Sequence, residues 1–182
     1  MDKASLERIK LAHPSIRKKL LKDYLDANNL LGKGVRLRLA YVVRTDAEQD
    51  ALYALGRTKV NPDGKTAKKP KGNIVTNAKG GQSIHNYALA FDIVLLYDIN
   101  GDGIFEAVSW DMKKDGDHDG VGDWMEIAGF LQGRGWEWGG KWVSFRDYPH
   151  FQMAFGHSWK TLLAKKHNKE IIIDNNIEYV KL

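Results

Sequence analysis

Apolar residues recur along the first forty positions with two different periods. From Ser15 to Leu31 they return every three or four residues, which predicts an amphipathic helix with one buried face. From Val35 to Tyr41 they alternate with Arg36 and Arg38, as in a strand that buries one face. These two periods predict a core helix followed by a half-buried strand.

Two patterns further along place polar residues at a helix start and inside an apolar strand. Thr45 and Glu48 have the spacing of a capping box, so a helix should begin directly after Arg44. The segment 90–97 (AFDIVLLY) is apolar on both faces apart from Asp92, which predicts a central strand. Because a carboxylate in such a strand is costly to bury without a partner, Asp92 requires a specific reason.

The second half of the chain carries weaker patterns. They predict a strand over 104–110, a helix over 124–131, a strand over 150–155, a helix over 158–166 and a terminal hairpin over 171–180. Between Arg57 and Gly81 no periodicity survives, and seven Lys or Arg residues occur among Gly, Pro and Asn. We call this stretch the basic loop and expect it to lie on the surface.

Composition narrows the possible chemistry. At 182 residues with 43% hydrophobic positions, the chain has the size and content of one globular domain. It contains no cysteine, which excludes a disulfide framework, a thiolate metal site and a cysteine nucleophile. Any metal must therefore be held by His, Asp or Glu. The formal net charge of +5 favours anionic partners.

The first 25 residues are charged and periodic. They contain no apolar stretch of the length of a signal peptide or of a membrane span. We therefore expect a protein made in the cytoplasm without a signal peptide, and without a membrane anchor.

Three residues have the chemistry of a catalytic zinc site, which takes three His or carboxylate ligands and leaves a fourth position for water. They are His85, Asp92 and His150. A fully extended chain from His85 to Asp92 would span roughly 23 to 25 Å, so it must fold back at Asn86 and Tyr87. On spacing alone, a structural role for each of these polar residues remains open.

Asp147 lies three residues before His150, close enough to reach a water on such a metal without being a ligand. If the strands of Asp92 and His150 are neighbours in register, their side chains converge. Zinc would then lower the pKa of the water toward about 7, and the Asp147 carboxylate would take its proton. This is the mechanism of a zinc hydrolase.

Three ordered blocks of sequence resemble one family of enzymes. They are VRTDAEQDALYALGRT at 43–58, VTNAKGGQSIHNYALAFD at 75–92, and GWEWGGKW with FRDYPHF between 135 and 151. Together they resemble the VanY-like family of zinc D,D-carboxypeptidases and L-alanyl-D-glutamate endopeptidases, many of the latter being phage endolysins. The resemblance extends over roughly 5–165.

Carried over by position, the resemblance implies a role for seven residues. His85, Asp92 and His150 would be the zinc ligands, Asp147 the general base and Arg44 a catalytic cation that steadies substrate or oxyanion. Gln49 and Ser83 would support substrate binding. Two positions depart from the family pattern: Ala88 stands where Gly is usual, and Val43 precedes the Arg-Thr pair.

The resemblance also implies an α+β fold of the Hedgehog/DD-peptidase type. In such a fold a small antiparallel sheet carries the zinc site and helices pack around it. We expect residues 1–166 to form the catalytic domain and residues 167–182 to form a hairpin-like extension of the same domain.

A separate motif has the spacing of a calcium-binding EF-hand loop, D-x-[DN]-x-[DN]-G-x5-E. Its possible ligands are Asp115, Asp117, Asp119, Val121 through its carbonyl, Asp123 and Glu126. Gly122 departs from the pattern because an apolar residue usually occupies that position. A plain acidic turn is the alternative reading.

A second, weaker copy of the motif precedes it. Its possible calcium ligands are Asp98, Asn100, Asp102 and Glu106, but Ser109 occupies the final ligand position. For this loop, a turn between strands is as good an interpretation as a calcium site.

Three functions are compatible with these features. The leading one is a zinc-dependent L-alanyl-D-glutamate endopeptidase acting on peptidoglycan stem peptides as a phage-type endolysin. A D-Ala-D-Ala carboxypeptidase is the nearest alternative, and a catalytically silent calcium- or zinc-loaded wall-binding module is the third. The intact Asp147 argues against the silent module.

The expected partners follow from the leading function. They are the peptidoglycan peptide and anionic cell-wall polymer, the latter docked by the basic loop. We expect no nucleic acid partner, a monomeric protein, and action on the bacterial wall after release from the cell.

Overall fold

The computed structural model describes residues 2–62, 64–65 and 72–182. In chain order its helices are α1 (Lys3–Lys10), α2 (Pro14–Leu30), α3 (Asp46–Ala54), α4 (Asp123–Gly133) and α5 (Trp159–His167). Its strands are β1 (Val35–Tyr41), β2 (Ala90–Tyr97), β3 (Ala107–Val108), β4 (Glu137–Trp138), β5 (His150–Gln152), β6 (Ile171–Asp174) and β7 (Ile177–Val180). These elements are distributed over two compact units.

The first unit comprises the described residues up to 42 together with 90–153, and it contains a five-stranded antiparallel sheet. The strand order is β1-β2-β5-β4, and β3 pairs with the far end of β2. Strand β2 is central because both of its faces are apolar, as the run AFDIVLLY predicts. Phe91 on β2 stacks on Phe151 of β5 with ring centroids 5.6 Å apart, and its edge contacts Trp136.

Helices α1 and α2 belong to the same unit, and α1 was missed in the sequence. Asp2 caps α1, accepting hydrogen bonds from the backbone N–H and the hydroxyl of Ser5. The Ser5 hydroxyl also accepts from the backbone N–H of Leu39 on β1. Ser5 is buried at a position where an apolar residue would have marked the buried face of the helix.

The second unit comprises residues 43–89 and 154–182. Helix α3 begins with the predicted capping box between Thr45 and Glu48. Helix α5 is capped by Ser158, and β6 and β7 form the predicted terminal hairpin. Asn175 and Asn176 hold its turn with φ of 50° and 62°, values that asparagine tolerates well.

The α+β class with a small antiparallel sheet is confirmed, while two strand lengths were wrong. The strand predicted over 104–110 is reduced to Ala107–Val108, and the one over 150–155 ends at Gln152. Phe155 has a φ of 51°, which is incompatible with a continuing strand. Helix α4 begins at Asp123, one residue before the predicted start.

Three basic-loop residues predicted to dock wall polymer, Lys68, Lys69 and Lys71, lie outside the described residues. No helix in the described part of the chain is long and apolar enough to cross a membrane. The predicted division into residues 1–166 and 167–182 stays a prediction.

Candidate metal centre and its surroundings

Asp92 and His150 are directly opposite each other on neighbouring strands. The antiparallel register of β2 and β5 pairs Asp92 with His150, so both side chains leave the same face of the sheet. An Oδ1 atom of Asp92 lies 3.3 Å from Nδ1 of His150. The sheet therefore provides the partner that an acidic residue in an apolar strand requires.

His85 is held by a short 3₁₀ helix over Ile84–Tyr87, where the sequence required the chain to fold back. Ser83 begins this turn, and its hydroxyl accepts from the backbone N–H of His85 at 3.3 Å. The side chain of Asn86 closes the turn by accepting from the backbone N–H of Ser83. His85 is only 1% exposed.

The turn ends at Ala88, which adopts a left-handed conformation with a φ of 59°. Glycine enters this region without a steric penalty, whereas a residue with a Cβ atom pays roughly 1 to 2 kcal/mol. The family pattern's glycine at this position thus has a backbone reason. Ala88 meets the same geometrical requirement and leads the chain into β2 two residues later.

His85, Asp92 and His150 each offer one ligand atom, and these atoms lie within 4.8 Å of one another. Two imidazoles and one carboxylate are a ligand set that zinc accepts at about 2.0 to 2.2 Å per bond. Tetrahedral bonds of that length place neighbouring ligand atoms roughly 3.3 to 3.6 Å apart, and the Asp92 to His150 distance of 3.3 Å agrees. The three residues fit a zinc ion.

The other ring nitrogen of His150 is also engaged. Nε2 lies 3.0 Å from Oε1 of Gln152, two residues along the same face of β5. The amide of Gln152 donates to Oε2 of Glu137 at 2.8 Å, and the indole of Trp142 donates to Oε1 of the same carboxylate. A carboxylate, an amide and an imidazole therefore form one chain that leads to the candidate ligand.

Two opposing effects act on the pKa of His150. Burial opposes the charged imidazolium, but the hydrogen bond and charge of Asp92 and the contact with Gln152 outweigh it, so the pKa is raised. The charge of Asp147 acts in the same direction. In the absence of a metal, the surroundings of His150 therefore favour its protonated, positively charged ring.

Asp147 is half-buried and fixed to the loop before β5. Its backbone N–H donates to the carbonyl of Gly139 at 3.1 Å, and its own carbonyl accepts from the backbone N–H of His150 at 3.2 Å. A Cβ atom at Gly139 would lie 2.6 Å from the Asp147 carbonyl oxygen and 3.1 Å from Cβ of His150. Only glycine allows this approach, and it places Asp147 beside the candidate ligand.

Arg44 is held at the predicted corner between β1 and α3. Its guanidinium donates to Oε1 of Gln49 at 2.9 Å, and its backbone N–H donates to the carbonyl of His85 at 3.2 Å. The side chain of Asn86 donates to the carbonyl of Arg44. Arg44 and the His85 turn are therefore held together by one backbone hydrogen bond and by one from the Asn86 side chain.

Gln49 is fully buried, and the amide that accepts from Arg44 also donates to the carbonyl of Ala78 at 2.8 Å. Gln49 thus positions Arg44, while Ser83 caps the His85 turn. These contacts give both residues a supporting role within the protein. Their predicted contact with substrate stays a prediction.

The acidic residues of the two predicted calcium loops also lie in groups. Ligand atoms within 4.8 Å of one another occur in three sets: Asp98, Asp102 and Glu106; Asp115, Asp117 and Asp123; and Asp117, Asp119 and Glu126. Asn100 donates to Asp102 at 3.0 Å, and Val121 donates its N–H to Asp119. No comparison with a known protein supports calcium at either loop.

Gln152 and Glu137 were missed as candidate site residues. The alternation of β5 puts Gln152 on the face of His150, so a signal for it was present in the sequence. Glu137 reaches this face through the pairing of β4 with β5, where it is opposite Gln152. No local sequence pattern predicts that β4 pairs with β5.

The chain is similar to known proteins in both sequence and fold. Residues 76–153 match the model of a peptidase M15 family described as D-alanyl-D-alanine carboxypeptidase. The chain is 43% identical, over 121 residues, to the peptidoglycan L-alanyl-D-glutamate endopeptidase CwlK of Bacillus subtilis (strain 168). That match covers 66% of this chain and 62% of CwlK, so the chain matches less than two thirds of the relative's length.

The fold is similar to the crystal structure of the L-Ala D-Glu endopeptidase ChiX of Serratia marcescens, with a TM-score of 0.52 and 20% sequence identity. The likeness covers 85% of this chain and 90% of ChiX, and at this identity it supports the fold alone. The expected resemblance is confirmed by the family match and by CwlK. The segment from residue 76 to residue 153 that matches this family model contains His85, Asp92, Asp147 and His150.

Proposed function

We propose that this protein is a zinc-dependent endopeptidase that hydrolyses the bond between L-Ala and D-Glu in peptidoglycan stem peptides. The observation that carries the proposal is the 43% identity to CwlK, an enzyme named for this activity. The His85, Asp92 and His150 group supports it, because a peptidase of this kind needs a metal centre with an open position.

The proposed roles follow from where each side chain is held. His85, Asp92 and His150 would bind zinc, which supplies Lewis acidity that lowers the pKa of water and polarises a carbonyl oxygen. Asp147 would accept the proton of the attacking water and pass it to the leaving amine as the C–N bond breaks. Its backbone anchoring beside His150 supports this role.

Arg44 would stabilise negative charge on the substrate or on the developing oxyanion. A guanidinium stays charged at any working pH, and Gln49 restricts its motion by accepting a hydrogen bond at 2.9 Å. A preorganised cation of this kind loses little free energy to reorganisation during the reaction. Gln49 and Ser83 would act through Arg44 and His85 by holding them.

One observation favours a second activity. The matching family model is described as D-alanyl-D-alanine carboxypeptidase, and the same ligands and base would serve hydrolysis of that terminal bond. The two activities differ in which peptide carbonyl is attacked by the water that Asp147 would deprotonate. The products of digestion distinguish them.

Digestion of purified sacculi by the zinc-loaded protein, followed by mass spectrometry of the muropeptides, tests both activities. The endopeptidase leaves glycan chains that carry only L-Ala and releases peptides that begin with D-Glu. The carboxypeptidase releases free D-Ala and leaves the L-Ala to D-Glu bond intact. His150→Ala is the control, because it removes a ligand and should abolish either activity.

Absence of both products from a preparation with bound zinc would contradict the proposal and would favour a silent wall-binding module. Action on the bacterial wall is part of the same proposal. The expected roles as an endolysin, as a binder of anionic polymer and as a monomer stay predictions.

A further inference from the structure

The loop from Asp115 to Glu126 concentrates five carboxylates in twelve residues. They belong to Asp115, Asp117, Asp119, Asp123 and Glu126. None of the five is in an ion pair with a lysine, arginine or histidine of the described chain. Such a concentration of like charge is unfavourable unless a cation or protons compensate it.

The carboxylates converge in two overlapping sets that share Asp117. Ligand atoms of Asp115, Asp117 and Asp123 lie within 4.8 Å of one another, and so do those of Asp117, Asp119 and Glu126. Calcium binds oxygen at about 2.3 to 2.6 Å, so two oxygens on one ion are at most roughly 5 Å apart. Both sets meet this limit.

The burial of Asp123 is a second, independent indication that the loop binds a cation. Its side chain is completely buried, and one oxygen, Oδ2, accepts from the hydroxyl of Tyr97 at 3.0 Å and from the backbone N–H of Gly116 at 2.9 Å. The other oxygen, Oδ1, is buried without a hydrogen-bond partner. An acceptor in this state costs about 1 to 3 kcal/mol, and more when it is charged.

Glu126 repeats the same feature on the first turn of α4. Its Oε2 atom is also buried without a hydrogen-bond partner. Asp123 and Glu126, which carry these two unsatisfied oxygens, thus belong one to each of the two converging sets. A divalent cation coordinated by oxygen would satisfy both atoms at once.

We propose that this loop binds one calcium ion through Asp115, Asp117, Asp119, Asp123, Glu126 and the carbonyl of Val121. The choice of calcium rests on the number and kind of ligands. Six or more oxygens on a loop suit calcium, whereas magnesium demands a rigid octahedron and keeps several waters. The site is separate from the zinc ligands, and it does not depend on the proposed hydrolysis.

Protonation gives supporting evidence. Burial, followed by the charges of Asp119, Asp117, Asp123 and Asp115, raises the pKa of Glu126 to about 7. Burial likewise raises the pKa of Asp123, against the hydrogen bonds from Gly116 and Tyr97. Calcium would displace the proton of Glu126, so its binding should release protons near neutral pH.

The ion would act as a structural clip within the first unit. The Tyr97 hydroxyl that donates to Asp123 belongs to β2, the strand that also carries Asp92. A carboxylate oxygen of Asp117 accepts from the backbone N–H of Gly32 at 2.6 Å, beyond the end of α2. Calcium would therefore fasten α4 to the central strand and to the connection between α2 and β1.

The preceding loop is a matched comparison. Both oxygens of Asp98 accept from backbone N–H groups, as both oxygens of Asp115 do in the proposed site. Among the described residues, this loop has no buried carboxylate oxygen without a hydrogen-bond partner. Acidic spacing alone does not make a site, and we propose none there.

Isothermal titration of the zinc-loaded full chain with calcium chloride tests the proposal. We expect one calcium per chain, with a Kd on the order of 10⁻⁷ to 10⁻⁵ M, as in EF-hand sensors. Asp119→Asn should weaken binding at least about tenfold, because one charged ligand is lost. Asn retains the oxygen that accepts from the backbone of Val121, so the turn is preserved.

Asp102→Asn is the matched control, because Asp102 accepts from the backbone of Ile104 as Asp119 does from Val121. This variant should bind calcium with unchanged affinity. A melting temperature measured with and without calcium should rise in the wild type and in Asp102→Asn, and less in Glu126→Gln.

Two results would overturn the proposal. One is the absence of calcium heat and of a melting shift in folded wild type, and the other is equal weakening by Asp102→Asn and Asp119→Asn. Magnesium at the same concentration serves as the ion control. A stronger response to magnesium than to calcium would also contradict the choice of ion.

Discussion

Nε2 of His150 lies 3.0 Å from Oε1 of Gln152, and this contact determines which nitrogen of the imidazole remains for a metal. An amide oxygen accepts a hydrogen bond, so Nε2 carries a proton, and Nδ1, which faces Asp92, is the nitrogen that would bind a metal. Partners of this kind orient the ligating ring and raise its basicity. Gln152 is therefore a positioning residue for the candidate metal centre.

Gln152→Ala should weaken zinc binding by about 10- to 100-fold, because the partner that fixes the ring is lost. Competition with a zinc chelator measures this affinity without reference to activity. Gln132→Ala is a matched control on α4, where the side-chain amide donates to the carbonyl of Ala128. Equal zinc affinity in the Gln152 and Gln132 variants would leave Gln152 without a positioning role.

Exchanging the two partners provides a rescue. Gln152→Glu alone places a second carboxylate beside Glu137, which now accepts from the Gln152 amide at 2.8 Å. Adding Glu137→Gln restores a donor and acceptor pair, so the double variant should recover most of the zinc affinity. Failure of the rescue would show that size and shape at position 152 matter more than the hydrogen bond.

Asp147→Asn should retain zinc and lower kcat by a factor of about 10² to 10⁴, because the general base is removed while the zinc ligands remain. Zinc content by elemental analysis and hydrolysis of sacculi separate the two effects. The backbone contacts that anchor Asp147 do not involve its side chain, so the loop should be preserved. Loss of zinc together with activity would make Asp147 a ligand instead.

Gly139→Ala should lower the free energy of unfolding by about 1 to 3 kcal/mol, the usual cost of overpacking. The new Cβ atom would lie 2.6 Å from the carbonyl oxygen of Asp147 and 3.1 Å from Cβ of His150, so zinc affinity should also fall. Urea unfolding and zinc competition measure the two quantities.

Gly133→Ala is the control for this substitution, because a Cβ atom there would meet nothing within 4 Å. Alanine favours a helix over glycine by about 1 kcal/mol, so this variant should be as stable as the wild type or more stable. Equal behaviour of the two variants would contradict the close approach at Gly139.

The sequence predicts the candidate ligands better than their surroundings. Asp92 was conspicuous as a single acid in an apolar strand, and the alternation of β5 assigned a face to His150. That the two residues are directly opposite depends on the register of strands 58 residues apart, which no local pattern specifies. The close approach of Gly139 to Asp147 likewise depends on tertiary packing.

In the loop from Asp115 to Glu126, too, the sequence predicts the acidic residues but not their surroundings. Spacing predicted a possible calcium site over Asp115 to Glu126 and a weaker one over Asp98 to Glu106. Spacing did not reveal that Asp123 is buried with one oxygen unsatisfied, because the neighbours that bury it come from distant parts of the chain. That burial is what separates the two loops physically.

The last prediction concerns the pH dependence of stability in calcium-free protein. The pKa of Glu126 is raised from 4.5 to about 7, so the folded chain holds a proton there that the unfolded chain releases near pH 4.5. Because the folded state binds more protons in this window, stability falls as pH rises from about 4.5 to about 7. Above pH 7 the Glu126 carboxylate is ionised and is repelled by the neighbouring carboxylates.

Glu126→Gln removes this titration, so the variant should gain stability relative to the wild type as pH rises from 5 to 7. Urea unfolding in the presence of a chelator at pH 5, 6, 7 and 8 measures the difference, in which the contributions of groups that do not interact with Glu126 cancel. Saturating calcium should reverse the order above pH 7, because the wild-type carboxylate then binds the ion and the amide binds it more weakly. A difference that is constant with pH and unaffected by calcium would mean that Glu126 neither titrates in this window nor ligates the ion.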